Sequence, residues 1–237
     1  MAEQEPQLEH RLIWDLPTRL VHWAIALCFA GSWITAEAGL EWTQVHFRFG
    51  YCTLGFILFR LLWGLVGTTH ARFSSFLRGP RAVWLHVQHL WRAPDEPEAP
   101  GHNALGGWAA LLLLSSLGVQ AASGLFLNDD ILYAGPYNPS VSTDTAGWLA
   151  SVHHWNFRLL QALVATHLLA ICWYQWRLRQ NLLLPMLNGK KSAQRVPAQA
   201  AIPSSALLRA LLVALVAVGA VWLMLTLAPE PPVPDYY

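Results

Sequence analysis

Apolar residues gather in five blocks along the chain, at 18–38, 44–66, 104–127, 152–175 and 206–227. Each block reaches the length of about 20 residues that carries a helix across a hydrocarbon core. The fifth, LLRALLVALVAVGAVWLMLTLA, holds no charged residue after Arg209. The first four are broken by His22, His46, Arg48, Arg60, His153, Arg158 and His167. Ionisable groups at membrane depth are costly unless they face a bundle interior. The pattern therefore predicts an all-α integral membrane protein: a four-helix transmembrane bundle with a polar or cofactor-filled interior, plus a fifth C-terminal transmembrane helix. Three regions follow: 1–17 as an N-terminal segment, 18–191 as the four-helix domain, and 192–237 as linker, fifth helix and tail.

Between the blocks, RAVWLHVQHLWR (81–92) places Val83, Val87 and Leu90 near helical spacing, which suits a helix lying along the interface. His86 and His89 then read as surface residues. APDEPEAPG (93–101) reads as a proline-rich linker. NDDILYAGPYNPSVSTDTAGW (128–148) is rich in turn residues and reads as a partner-facing loop.

Composition agrees with a membrane setting. The chain is 54% hydrophobic and only 12% charged, against roughly 25% charged in an ordinary soluble domain. Its 13 tryptophans suit membrane–water interfaces. A net charge of +1 gives no reason to expect nucleic acid as a partner. Cys28, Cys52 and Cys172 form no CxxC or CxxCH motif, so they read as buried thiols rather than as a disulfide, cluster or covalent haem site. The polar start, MAEQEPQLEHRLIWDLPTR, does not read as a cleaved leader.

Charge sets the expected orientation. Arg72, Arg78, Arg81 and Arg92 fall between blocks two and three. Arg177, Arg179, Lys190, Lys191 and Arg195 fall between blocks four and five. Asp129, Asp130 and Asp144 lie between blocks three and four. Basic loops stay inside, so the N-terminus is expected in the cytoplasm and the tail PEPPVPDYY on the opposite side.

The histidines then fall into register. A helix turns about 100° per residue, so the fourteen residues from His153 to His167 bring both to nearly one face, about 21 Å apart along the axis. His154 points elsewhere. With the expected topology, His22 and His167 lie at inner depth, and His46 and His153 at outer depth. Neutral imidazole ligates haem iron, and a flat porphyrin fits between helices. Two b-type haems with bis-histidine ligation follow, His22/His167 inner and His46/His153 outer. A lone histidine near a helix end is more often an interfacial residue or an interhelical hydrogen-bond donor; four matched in depth weigh against that reading. Proton relays usually add buried carboxylates, and these helix interiors hold almost none. Arginines could pair with haem propionates: Arg19 and Arg60 at inner depth, Arg48 and Arg158 at outer depth. Snorkelling to the interface competes for Arg19 and Arg48.

The motifs IWDLPTRLVHW (13–23), FRLLWGLVGTTHARF (59–73), GHNALGGW (101–108), SGLFLNDDILYAGP (123–136), HHWNFRLLQALVATH (153–167) and NGKK (188–191) resemble the bacterial cytochrome b561 family. The branch they resemble is the one related to the b-type cytochrome subunit of nickel–iron hydrogenases. The resemblance runs over about residues 11–191. It implies a four-helix core in the bacterial inner membrane with two bis-histidine b haems, the ligand motifs falling on His22, His46, His153 and His167. It also implies electron exchange with the quinone pool and a periplasmic redox partner such as a hydrogenase or a small c-type cytochrome. The position after the first fourth-helix ligand is often Glu in that family, and here it is His154, which leaves open another outer ligand or a local proton-transfer role. His102, in GHNALGGW, reads as a cap or surface residue, or as a contact for a propionate or quinone headgroup.

The function expected is electron relay between a periplasmic redox protein and quinone, rather than chemistry at the iron, because bis-histidine iron has no open coordination site. A stand-alone superoxide:quinone oxidoreductase, drawing its anion to Arg48 and Arg158, is the enzyme alternative. A haem-free anchoring subunit is the structural one. The fifth helix is left to anchor the chain in lipid, dock a partner or pair two copies as a homodimer.

Overall fold

A computed structural model describes residues 10–90, 99–128 and 133–229. Arg92, most of the linker expected at 93–101, Asp129, Asp130, the side chain of His89 and the end of the tail lie outside them.

Five helices of the described residues are long and apolar enough to cross a membrane. They are α1 (Leu16–Glu37), α2 (Thr43–Val66), α5 (Ala104–Gly124), α6 (Thr143–Trp176) and α8 (Leu207–Thr226). Three shorter helices connect them: α3 (Phe73–Phe76), α4 (Pro80–Leu90) and α7 (Leu183–Asn188). The fold is mostly helical, as expected of a membrane helix bundle, and α4 falls where a helix was expected at 81–92. At most 28% of any spanning window is buried. Leu27, Leu65, Leu169 and Leu208 are each about 70% exposed, so these helices present apolar side chains outward, as lipid-facing helices do.

The fourth span differs from the block at 152–175. Helix α6 starts at Thr143 and runs for 34 residues, about 51 Å at the usual helical rise. Asp144 in its first turn suits the positive end of the helix dipole. The polar first turns therefore continue a helix where the sequence pattern showed a loop.

The chain forms two compact units. The first comprises Met1–Val21, Leu61–Leu111 and Ala165–Leu211. Here β1 (His10–Leu12) pairs antiparallel with β2 (Lys190–Ser192), with Arg11 opposite Lys191. Gly189 makes the junction: it closes α7 in the left-handed region at φ 84°. Its carbonyl accepts the amides of Ile13 and Trp14 at 2.8 and 3.1 Å. A Cβ there would lie 2.7 Å from the Trp14 carbonyl oxygen, so both the φ and the space call for glycine. Ile13, Trp14 and Val196 form a small core beside this junction. Arg209 of α8 donates to the carbonyl of Val66 at 2.9 Å.

The second unit comprises His22–Arg60, Leu112–Val164 and Leu212–Tyr237. In it the loop after α5 is held by Asn138, whose Nδ2 donates to the Phe126 carbonyl at 2.8 Å. Tyr137 ties the same loop to α8 by donating to the carbonyl of Met224 at 2.7 Å. The fifth helix is thus bound to the rest of the chain in each unit by a polar contact near its end.

Candidate haem-ligand sites

His46 enters as the fourth residue of α2 and His153 as the eleventh of α6, both in the second unit. Their ring centroids lie 6.4 Å apart at an interplanar angle of 69°. Two imidazoles on opposite sides of one iron place their centroids roughly 6 Å apart, given metal–nitrogen bonds of about 2 Å. The spacing therefore fits a shared axial pair.

The hydrogen bonds orient each ring. Nδ1 of His46 lies 2.9 Å from the carbonyl oxygen of Ser32. Nδ1 of His153 lies 3.1 Å from the carbonyl oxygen of Gln120 and 3.1 Å from Oγ of Ser123. A carbonyl only accepts, so each Nδ1 carries the proton and each Nε2 keeps its lone pair for a metal. A histidine ligand held through its other nitrogen is the usual second layer of a metal site. Among the described residues no group of three or more His, Cys, Asp or Glu gathers for a metal ion. A b haem supplies four of its own nitrogens and asks the protein only for an axial pair, and His46 with His153 offers that.

Polar residues behind His153 secure it. Asn156 donates through Nδ2 to the Ser116 carbonyl at 2.9 Å and to Oε1 of Gln120 at 2.7 Å. Ser116 returns a hydrogen bond from its hydroxyl to Oδ1 of Asn156 at 2.8 Å. These groups join α5 to α6 where lipid could offer no hydrogen bond. The sequence reading passed over Ser116, Gln120, Ser123 and Asn156, although polar side chains within apolar runs were the available signal, SSLGVQAASG for the first three and HHWNFRLL for Asn156.

Gly124 brings α5 close to the same ring: a Cβ there would sit 3.3 Å from Cε1 of His153. Gly124→Val is expected to cost about 1–3 kcal/mol through overpacking and to weaken haem retention at this pair. Heating the purified variant while following Soret absorbance should show one haem leaving at a lower temperature than in the wild type.

His154 is exposed, and its Nδ1 lies 2.7 Å from the carbonyl of Ala150 in its own helix. Its ring centroid lies 6.2 Å from that of His153, at an interplanar angle of 81°. His22 falls in the second unit and His167 in the first, and each is partly buried.

The arginines divide. In the first unit, Arg19 donates from Nη1 to the carbonyl of Leu187. Its Nε is buried with no acceptor among the described residues, a donor that suits a carboxylate such as a propionate. Arg60 is partly buried. Arg48 and Arg158 are exposed, and Arg158 reaches Oε1 of Gln161 at 3.3 Å.

His102 does not cap α5. That task falls to Asn103, whose Oδ1 accepts the amide of Gly106 at 2.7 Å. The His102 ring instead packs edge-on to Trp14 at 4.8 Å and against Phe76 at 4.4 Å. His86 also departs from the expected surface role: it is partly buried and its Nε2 lies 2.8 Å from the hydroxyl of Tyr174.

Comparison with known proteins bears on this arrangement. The family model described as prokaryotic cytochrome b561 matches residues 13–189, which takes in the first four spans and stops before α8. A probable Ni/Fe-hydrogenase B-type cytochrome subunit of Rhizobium leguminosarum bv. viciae is 24% identical over 215 residues, covering 76% of this chain and 87% of that protein. No solved structure matches the chain significantly.

Proposed function

The chain belongs to the prokaryotic cytochrome b561 family, a family of multi-pass membrane b-type cytochromes of electron transfer, and from that premise we propose that it carries electrons between a periplasmic redox protein and the quinone pool through two b haems. His46 and His153 hold the outer haem, and His22 and His167 the inner one. Arg19 and Arg60 serve propionates of the inner haem, Arg48 and Arg158 those of the outer. The N-terminus lies in the cytoplasm and the C-terminus in the periplasm, as the basic connections require.

The observation that carries this reading is the His46–His153 pair, 6.4 Å between centroids with both Nδ1 atoms engaged by carbonyls. Haem, when bound, would supply the one-electron redox chemistry. The chain's own residues fix the imidazoles, keep Nε2 unprotonated and exclude water with apolar side chains. Phe157 contributes to that exclusion, stacked edge-on with Trp33 at 5.5 Å. The hydrogenase subunit named above supports a hydrogenase-like protein as the donor, and a c-type cytochrome fits the same role.

Pyridine-haemochrome quantification of the purified protein should give two b haems per chain. Protein reduced with stoichiometric dithionite should be reoxidised by a soluble quinone such as decylubiquinone. One haem per chain would remove the two-site reading, and electrons retained in the presence of quinone would remove the quinone reading.

A further inference from the structure

The two imidazoles of the outer pair are held by the same local arrangement on two different helices. On α1 the Ser32 carbonyl accepts from His46 at 2.9 Å. The hydroxyl of Thr35, three residues on, donates to that same carbonyl at 3.1 Å and to the carbonyl of Gly31 at 2.7 Å. On α5 the Gln120 carbonyl accepts from His153 at 3.1 Å. The hydroxyl of Ser123, again three residues on, donates to it at 3.1 Å and to the carbonyl of Val119 at 2.7 Å. Thr35 and Ser123 are 5% and 4% exposed, so each hydroxyl is held by its own helix rather than by water.

A hydroxyl bonded back to its own helix is ordinary in an apolar span, and Thr53 does the same to the Phe49 carbonyl at 2.8 Å. Thr35 and Ser123 differ because the carbonyl that each bridges also takes an imidazole proton. Within a helix that oxygen already serves an amide four residues on, so a donor from another helix can reach it only if it leans outward. Back-bonding by Ser or Thr bends a helix, and a bent helix tilts its carbonyls away from the axis. Ser123 adds a second effect. With its proton given to its own helix, its oxygen faces Nδ1 of His153 at 3.1 Å and can accept from it.

We infer that Thr35 and Ser123 are positioning residues for the outer haem: by turning the Ser32 and Gln120 carbonyls onto His46 and His153, they strengthen the Nδ1–H bonds and lower that haem's reduction potential. The inference rests on the His46–His153 pair given under Proposed function. An imidazole whose Nδ1–H is firmly held is the more basic ligand at Nε2, and a more basic ligand favours ferric over ferrous iron. Each residue acts through a carbonyl and an imidazole, not as a ligand itself.

The test is a spectroscopic redox titration of the full-length, haem-loaded protein in detergent. The variants are Thr35→Val, Ser123→Ala, the double variant of these, Thr35→Ser and Thr53→Val. The outer haem is the component of the titration that His46→Ala removes. Valine keeps the branched shape of threonine without its hydroxyl. Each single loss of a hydroxyl should favour the reduced outer haem by about threefold. The double variant should favour it by about tenfold, a rise of roughly 59 mV for one electron. Thr35→Ser restores the hydroxyl and should restore the wild-type potential. Thr53→Val removes a back-bonding hydroxyl that shares no carbonyl with His46 or His153, and should leave the potential unchanged. Transfer of haem to excess apomyoglobin, a readout that needs no titration, should be faster in Thr35→Val and Ser123→Ala and unchanged in Thr53→Val. An unchanged potential in the double variant overturns the inference. So does a fall, which would mean that the hydroxyls compete with the imidazoles for the carbonyls. An equal shift in Thr53→Val overturns it as well, by making the effect one of helix packing. If His46→Ala removes no haem, the pair reading fails and the inference goes with it.

Discussion

Alanine in place of His153 is expected to halve the haem content of the purified protein, and alanine in place of His154 to leave it intact. The two residues are neighbours, but their surroundings differ in kind. The His153 ring faces His46 at 6.4 Å and is held by the carbonyl of Gln120. The His154 ring is exposed and turned back onto Ala150. Loss of one axial imidazole from a bis-histidine b haem leaves a non-covalent porphyrin with a single protein bond, which detergent extraction should strip. His46→Ala should give the same half content. The decisive form is the double variant His46→Ala/His153→Ala, which should retain as much haem as either single variant, because both residues serve one iron and their effects cannot add. His46→Ala/His167→Ala should retain none. Pyridine-haemochrome yield per chain reads all of these. Haem lost with His154 rather than His153, or a His46/His153 double variant that loses all haem, would show that the pairing is wrong.

Part of the candidate site was legible in the sequence because helical register is rigid. Fourteen residues return a helix nearly to its starting face, so the alignment of His153 with His167 needs no tertiary information. The outer pairing of His46 with His153 was an expectation from depth, given the topology that the basic loops predict. The apolar blocks likewise lie within a few residues of α1, α2, α5 and α8, since a span is defined by composition over a length that chance rarely supplies. The beginning of α6 was not legible. Residues 143–151 carry a polar, mixed pattern without apolar period, and they are helical by continuation from the span.

Most of what escaped the sequence depends on partners far away in the chain. The strands His10–Leu12 and Lys190–Ser192 are three residues each, too short to show a period of two. Nothing in either segment names the other, although the quoted motifs IWDLPTR and NGKK flank the contact. His86 read as a surface residue because α4 lies outside the apolar blocks, and only the fold brings it to Tyr174. Asn103 took the cap that was open to His102, as its short amide reaches the Gly106 amide three residues on. The neighbouring imidazole was left to pack on Trp14 and Phe76.

Asp15 was passed over for the same reason, and its replacement should have the largest effect on stability. It caps α1, with Oδ1 accepting the amide of Thr18 at 2.7 Å, and that much is a local signal in the run WDLPT. Its remaining partners come from the far end of α2 and the turn beyond. Nε1 of Trp63 donates to the same Oδ1 at 3.2 Å, and the hydroxyl of Thr68 donates to Oδ2. Asp15 is 1% exposed and Trp63 is fully buried, so water cannot take over these donors. Asp15→Ala therefore loses a cap and leaves buried donors unsatisfied, at an expected cost of about 3–4 kcal/mol. At roughly 2–4 °C per kcal/mol for a chain of this size, the midpoint of thermal unfolding in detergent should fall by about 10 °C. Asp15→Asn separates geometry from charge. Its Oδ1 can still accept from Thr18 and Trp63, while its amide nitrogen meets a Thr68 hydroxyl that can turn to accept. It should cost about 1 kcal/mol, and Thr68→Val should then add little to it. If asparagine lowers the midpoint as far as alanine does, the negative charge rather than the set of accepted hydrogen bonds holds α1 to α2.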